Sequence, residues 1–188
     1  MKKYDITALG ELLIDFTQTG YSEIGMKLFE QNPGGAVANV LVAAAKFGKK
    51  TAFIGKVGRD MHGAFLRRTL EDAGVDVSGL IEDPAVFTTL AFVELSSSGE
   101  RTFSFARKPG ADTMLRPGEL DMELLRSTKI LHIGSLSMTD EPARSATICA
   151  IEASKEAGAV ISYDPNYRAA LWENRDEAVR QMRSLLPY

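Results

Sequence analysis

The stretch that most constrains the fold is NPGGAVANVLVAAAKFG, residues 32–48. Pro33, Gly34 and Gly35 are poor residues for a helix interior, so they predict a turn. Apolar side chains then recur at helical spacing, at Val37, Val40, Leu41, Ala44 and Phe47. Gly48 marks the end of the helix. The stretch therefore predicts a glycine turn that leads into a largely buried helix.

The start of this helix is also a candidate binding surface. The first backbone N–H groups of a helix have no partner within it, and two glycines let a ligand come close to the backbone. Asn39 is the only polar residue between Gly35 and Lys46, and its amide both donates and accepts hydrogen bonds. Two interpretations remain open: a core helix whose Asn bonds a nearby loop, or a turn and an Asn that hold a polyhydroxylated ligand.

Composition argues against several classes of protein. The 188 residues carry a net charge of −3, which offers no basic surface to nucleic acid or to an anionic membrane. The start, MKKYDITALGELLID, has acidic residues inside its apolar stretch, unlike a signal peptide, and no apolar run reaches membrane-spanning length. Cys149 is the only cysteine, so an internal disulfide and a cysteine-based zinc site are excluded. We expect one domain, residues 1–188, of a cytoplasmic protein that binds neither nucleic acid nor membrane.

Short apolar strands alternate with helical segments along most of the chain. This α/β alternation predicts a mainly parallel sheet covered by helices on both faces. In such sheets, ligands bind beyond the carboxyl ends of the strands. The predicted strands are Tyr4–Leu9, Thr51–Val57, Ile130–Ile133 and Ala159–Tyr163, and the predicted helices are residues 36–47, 61–73, 120–127, 142–157 and 176–186.

Two β-rich segments, at about residues 12–32 and 86–108, do not fit this alternation. The second is typical of a β-hairpin, with a turn at Ser96-Ser97-Ser98-Gly99 between the strand-like runs 88–95 and 101–106. We expect the two segments to form a small second sheet that projects over the carboxyl ends of the parallel strands. A sheet in that position is a candidate lid.

Polar residues that should meet under this lid are candidates for a binding site. Carboxylates and amides suit sugar hydroxyls, and arginines suit a carboxylate or a phosphate. Ordinary roles remain open for each of them; an Asx-type turn, for example, would account for Asp164-Pro165-Asn166. The candidates are Asp15, Asn39, Arg107, Asp164, Asn166 and Arg168.

Five segments, taken together and in order, resemble the PfkB (ribokinase-like) family of carbohydrate kinases. They are GELLIDF, NPGGAVAN, IGKVGRD, FSFARKPGAD and DPNYRAALW, and they are most similar to the fructokinase and 2-keto-3-deoxygluconate kinase branch. The resemblance implies a ribokinase-like three-layer α/β/α fold with a small β-sheet lid, and phosphoryl transfer from ATP to a sugar hydroxyl. It also implies a set of sugar-binding residues: Asp15, Gly34, Gly35, Asn39, Phe105, Arg107 and Arg168.

Two segments of the family pattern do not occur in the sequence: the glycine-rich DTxGAGD and the NxxE. In the family, the first supplies the anion hole and the aspartate that accepts the hydroxyl proton. By this resemblance the chain corresponds to the amino-terminal part of the fold, lacks its C-terminal part and contains no catalytic base. Asp164 and Asn166 become candidates for the phosphate or Mg²⁺ side of the site. We also expect a monovalent cation as a further candidate cofactor, and a homodimer formed through the lid sheet.

Three functions remain open from the sequence. They are phosphorylation of fructose to fructose 6-phosphate, phosphorylation of 2-keto-3-deoxygluconate with Arg107 and Arg168 holding its carboxylate, and non-catalytic sugar binding. A dinucleotide-binding oxidoreductase is disfavoured, because no GxGxxG follows the first strand. His62 and His132 have no carboxylate partner at metal spacing, so we expect both to be structural.

Overall fold

The computed structural model describes residues 2–95 and 101–188. The described residues form nine strands and five α-helices. The strands are β1 (Tyr4–Leu9), β2 (Leu13–Tyr21), β3 (Lys27–Gly34), β4 (Thr51–Gly58), β5 (Asp76–Asp83), β6 (Leu90–Leu95), β7 (Arg101–Ala106), β8 (Thr128–Gly134) and β9 (Val160–Asp164). The helices are α1 (Ala36–Lys46), α2 (Met61–Asp72), α3 (Met122–Arg126), α4 (Ala143–Glu156) and α5 (Arg175–Ser184).

Five strands form the central sheet, in the order β5-β4-β1-β8-β9, and every neighbouring pair is parallel. One face buries a cluster that includes Leu41 of α1 and Leu66 of α2. The opposite face buries a second cluster, which includes Leu125 of α3 and Ile151 of α4. The predicted parallel sheet with helices on both faces is therefore confirmed.

The remaining four strands form a second sheet, in the order β3-β2-β6-β7, which we call the lid sheet. β2 pairs antiparallel with β3 and parallel with β6, and β6 pairs antiparallel with β7. The predicted hairpin is thus confirmed, while its predicted turn at 96–99 lies outside the described residues. β3 runs further than predicted, through Pro33, because an edge strand tolerates a residue that has no N–H to donate.

The predicted helix is confirmed as α1, but only Gly35 of the predicted turn lies between β3 and α1, because Pro33 and Gly34 belong to β3. Gly35 has a φ of 129°, a conformation that residues with a side chain rarely adopt. A Cβ atom there would lie 2.5 Å from the backbone oxygen of Glu11, so this turn packs directly on the chain that leaves β1. The start of α1 is therefore held against the carboxyl end of the central strand.

No helix in the described ranges is both long enough and apolar enough to cross a membrane.

Candidate functional site

A cleft of about 230 Å³ lies between the carboxyl ends of the parallel strands and the lid sheet. β1 is the central strand, and the chain continues on one side of it to β4 and later returns on the other side at β8. Such a switch point leaves a crevice in which α/β proteins bind ligands. The cleft is lined by Glu11, Leu13, Asp15, Gly35, Ala36, Asn39, Phe103, Phe105, Leu136, Asn166 and Arg168.

Several residues suggested by the sequence come together in this cleft from separate parts of the chain. Asp15 comes from β2, Asn39 from the first turns of α1, and Phe105 from β7. Asn166 and Arg168 follow β9. The cleft therefore presents a carboxylate, two amides, a guanidinium and an aromatic ring to one small volume, which suits a ligand rich in hydroxyl groups.

Gly34 and Asp164 lie beside the cleft and do not line it. A Cβ at Gly34 would collide with the carboxylate of Asp15, so this glycine makes room for the Asp15 side chain. Asp164 Oδ1 accepts the backbone N–H of Asn166 at 3.0 Å, which is the hydrogen bond of an Asx-type turn. Asp164 therefore shapes the loop that carries Asn166.

Arg107 differs from the sequence expectation that it lines the sugar site. It is only 5% exposed, and its Nε donates to Asp112 Oδ2 at 2.8 Å. Nη1 donates to Thr139 Oγ1 and Nη2 to the carbonyl oxygen of Leu136, each at 2.9 Å. These acceptors and a second contact of Nη2 with Asp112 hold most of its N–H groups, and Arg107 is not among the residues that line the cleft. The sequence placed Arg107 in the right region but could not show which non-local acceptors it meets.

Glu11 is a cleft residue that was not among the site residues chosen from the sequence, although it follows the first predicted strand. It follows β1 and is 2% exposed; its Oε1 accepts the N–H of Ala36, the first residue of α1, at 2.8 Å. Oε2 is buried and has no hydrogen-bond partner in the described part of the chain. Burial raises the pKa of Glu11 to about 7. Its position directly after the first predicted strand, at the end of a parallel sheet where ligands bind, was the available signal.

Burial acts on a second carboxyl group of the cleft in the same direction. Burial also raises the pKa of Asp15, and the positive charge of Arg168 partly opposes this shift. Arg168 is the one cationic side chain lining the cleft among the described residues. Two carboxyl groups therefore face a single guanidinium.

Phe103 and Leu136 are further cleft residues that the sequence did not identify. Phe103 stacks on Phe105, with ring centroids 6.2 Å apart, and is 41% exposed. Leu136 belongs to a 3₁₀ turn after β8. Phe103 could have been found because it lies two residues from Phe105 on one face of a predicted strand, whereas nothing in the sequence marks Leu136.

The histidines have protein partners, in keeping with structural roles. His132 Nδ1 lies 3.0 Å from Ser162 Oγ, and burial lowers the pKa of this histidine. His62 packs edge-on against Phe16 and Phe87. Within residues 2–95 and 101–188, no group of three or more His, Cys, Asp or Glu side chains could hold a metal ion.

Comparison with protein families matches residues 3–188 to the model of the pfkB family carbohydrate kinases. A relative from Arabidopsis thaliana named probable fructokinase-4 is 47% identical over 182 residues, covering 96% of this chain and 56% of its own length. The chain thus spans about half the length of the curated relatives it matches.

Solved structures give the same picture. A fructokinase from Xylella fastidiosa with bound ATP superposes with a TM-score of 0.89 at 36% identity, covering 97% of this chain and 57% of that one. A double mutant of fructokinase from Vibrio cholerae, bound to fructose, ADP and potassium ion, gives a TM-score of 0.82 at 34% identity and covers 98% and 57%. The central sheet, its helices and the lid sheet are therefore the ribokinase-like arrangement that the sequence resemblance implied.

Proposed function

Because this chain belongs to the pfkB family of carbohydrate kinases, we propose that its cleft binds a sugar whose hydroxyl is phosphorylated by ATP in the longer protein. The observation that carries the proposal is the convergence of Asp15, Asn39 and Arg168 in one cleft beneath the lid sheet. The relatives named fructokinases support fructose as the sugar and fructose 6-phosphate as the product.

The charges around the cleft favour a neutral sugar over a sugar acid. A carboxylate clamp would need free arginines, but Arg107 is occupied by Asp112, Thr139 and the Leu136 carbonyl. Arg168 alone faces Glu11 and Asp15, so an anionic ligand would meet two acidic side chains. Hydroxyl groups can instead donate to Asp15 and exchange hydrogen bonds with Asn39. This distribution supports fructose over 2-keto-3-deoxygluconate.

The cleft residues bind and orient the sugar, and they place the reacting hydroxyl. Asp15 and Asn39 fix the sugar's hydroxyls from two elements, while Phe105 covers the cleft from the lid side. Gly35 brings the backbone at the start of α1 close to the ligand, and Gly34 keeps the space that Asp15 occupies. Correct placement is a large part of what phosphoryl transfer requires of a protein.

ATP, Mg²⁺ and a monovalent cation belong to the proposal for the longer protein. ATP supplies the phosphoryl group, and Mg²⁺ neutralises charge on the phosphates. Asp164 and Asn166 are the candidates here for that side of the site; among the described residues, no group of three or more His, Cys, Asp or Glu side chains could hold a metal ion by itself. Because the DTxGAGD segment of the family does not occur in these residues, we assign the proton acceptor and the anion-binding backbone to the part of the relatives' length that this chain does not span.

A non-catalytic sugar-binding role for these 188 residues alone is the second candidate. The observation that favours it is the division of groups within the chain: the proposed sugar contacts line one cleft, while no metal-binding cluster occurs in residues 2–95 and 101–188. Sugar binding without turnover would be its signature.

Self-association through the lid sheet is proposed for the longer protein in the cytoplasm. The hairpin of β2 and β3 exposes Tyr21, Ile24, Met26 and Leu28. These side chains lie together at one end of the lid sheet, where a second copy could cover them. Replacing Met26 and Leu28 with lysine should convert a dimer into a monomer in light scattering, whereas an unchanged mass would exclude this surface.

The experiment that tests the function is ADP release by the longer protein, with ATP, Mg²⁺ and a panel of sugars. We expect turnover with fructose and little with 2-keto-3-deoxygluconate or ribose. Binding of fructose without ADP release would instead support the sugar-binding module. Turnover restricted to the sugar acid would overturn the substrate assignment.

A further inference from the structure

Both connections between the β6–β7 hairpin and the rest of the chain pass through one buried polar cluster, formed by Thr89, Arg107 and Asp112. Thr89 directly precedes β6, and Arg107 directly follows β7. All three side chains belong to buried residues. The hairpin therefore enters and leaves the lid sheet at the same place.

Asp112 joins the two connections. Its Oδ1 accepts the hydroxyl of Thr89, and its Oδ2 accepts Nε and Nη2 of Arg107 at 2.8 and 2.7 Å. A Cβ at Gly110 would collide with Thr89 Oγ1 and lie 2.9 Å from both Asp112 Oδ1 and Arg107 Cγ. The cluster is thus closely packed as well as fully hydrogen-bonded, and such charge-assisted networks hold one geometry firmly.

Arg107 also reaches the floor of the cleft. Its Nη2 donates to the Leu136 carbonyl and its Nη1 to Thr139 Oγ1. Leu136 lines the cleft opposite the lid residue Phe105, which lies two positions before Arg107 on β7. One guanidinium therefore links the lid strand that carries Phe105 to the segment of the floor that faces it.

We propose that Arg107 is a positioning residue that sets the lid sheet over the cleft through Asp112 and Leu136, without touching the sugar. This inference rests on the proposed sugar-binding role of the cleft. In this role the Arg107–Asp112 pair, which we call the joint, acts in two steps. Asp112 fixes the guanidinium of Arg107, and the guanidinium fixes the distance between the lid sheet and Leu136. Loss of either partner loosens Phe105 and Phe103 together, and sugar affinity falls although every sugar contact is still present.

A double-variant cycle separates this role from direct contact. We expect Arg107→Lys and Asp112→Asn each to weaken fructose binding about tenfold in calorimetry at 25 °C, equivalent to about 1.4 kcal/mol. Since both act through one joint, the double variant should lose less than about threefold more than either single variant. If Asp112→Asn leaves the affinity within about twofold while Arg107→Lys lowers it, Arg107 contacts the sugar and the proposal is wrong.

The matched control is Arg67→Lys. Arg67 does not line the cleft and makes a similar set of bonds to a carboxylate and a carbonyl, donating from Nε to Glu82 at 2.6 Å and from Nη2 to the Leu80 carbonyl at 2.7 Å. Its replacement should leave fructose affinity within about twofold. A tenfold loss there too would show that general destabilisation, and not the joint, explains the effect.

Hydrogen exchange of the ligand-free protein tests the joint independently of any sugar. Amides of β6 and β7 should exchange about tenfold faster in Arg107→Lys and in Asp112→Asn than in the wild type, and at the wild-type rate in Arg67→Lys. Thr139→Val, which removes one acceptor of Arg107, serves if either variant fails to fold. Unchanged exchange in the lid strands would overturn the proposal, whereas absent fructose binding by the wild type with accelerated exchange in the variants would overturn only the proposed function.

Discussion

At the scale of single residues, Glu11 makes stability depend on pH. Burial raises its pKa from 4.5 to about 7, so between these values the folded chain binds more protons than the unfolded chain. The contribution of Glu11 to the free energy of unfolding is then greatest at low pH and is lost as pH rises from 4.5 to 7. A pKa difference of this size corresponds to about 3 kcal/mol at most.

We expect the free energy of unfolding of Glu11→Gln, relative to that of the wild type, to be larger at pH 8 than at pH 5. The amide oxygen can still accept the Ala36 N–H, but the side chain no longer ionises. Urea unfolding at both pH values measures the difference. Asp15→Asn should change the pH dependence of stability in the same direction, because burial raises the pKa of that carboxyl as well. A wild type and a Glu11→Gln variant with parallel pH profiles would contradict the raised pKa.

Asn39 is the residue whose loss should affect binding most simply. It is exposed to the cleft on α1, so its side chain can be removed without opening the core. We expect Asn39→Ala to weaken fructose binding by about 1–3 kcal/mol, the cost of leaving hydroxyl partners unsatisfied. Calorimetry on the longer protein measures it, with Val40→Ala, a neighbour that does not line the cleft, as control. Unchanged fructose affinity in both Asn39→Ala and Asp15→Ala would exclude the cleft as the fructose-binding site.

At the scale of elements, Gly35 fixes how α1 meets the central strand. A side chain there would have to adopt a φ of 129° and approach the Glu11 carbonyl oxygen to 2.5 Å. We expect Gly35→Ala to cost about 3 kcal/mol or more in the free energy of unfolding, from strain and collision together.

Gly48→Ala is the matched control for this prediction. Gly48 ends the same helix with a φ of 74°, and nothing lies within 4 Å of its Cβ position. This variant carries only the left-handed strain, about 1–2 kcal/mol. Chemical unfolding should show a larger loss in the free energy of unfolding for Gly35→Ala than for Gly48→Ala. Equal losses would show that the close approach at Gly35 adds nothing to the cost of the substitution.

The elements that the sequence predicted best are those with a strong local pattern. β1 has the predicted bounds, and α1 begins where the glycine turn required it to begin. β5 was not predicted, because Ser78 and Gly79 interrupt a short segment that becomes a strand only by pairing with β4. The same reason explains Arg107: its residue type was visible, but its acceptors at Leu136 and Thr139 come from a distant part of the chain.

At the scale of the whole molecule, the central sheet has an open edge. β9 pairs with β8 and, in the described ranges, with no strand on its other side, and Val160 at its start is 65% exposed. Exposed strand edges promote association between chains. We therefore expect the purified 188-residue chain to self-associate. Because we assign the catalytic groups to the part of the longer protein outside these residues, we also expect the chain to bind fructose weakly and to release no ADP from ATP. Light scattering and a coupled ADP assay beside the longer protein test this, and turnover comparable to that of the longer protein would refute the assignment of the catalytic groups outside these residues.

A crystal structure of the longer protein, grown with fructose at a concentration that saturates it in calorimetry, tests directly whether the cleft is the sugar site. We expect a single fructose in the cleft, with its hydroxyls within hydrogen-bond distance of Asp15 and Asn39 and with Arg107 still bound to Asp112. Fructose bound elsewhere, or in the cleft with Arg107 turned away from Asp112 and onto the sugar, would contradict it.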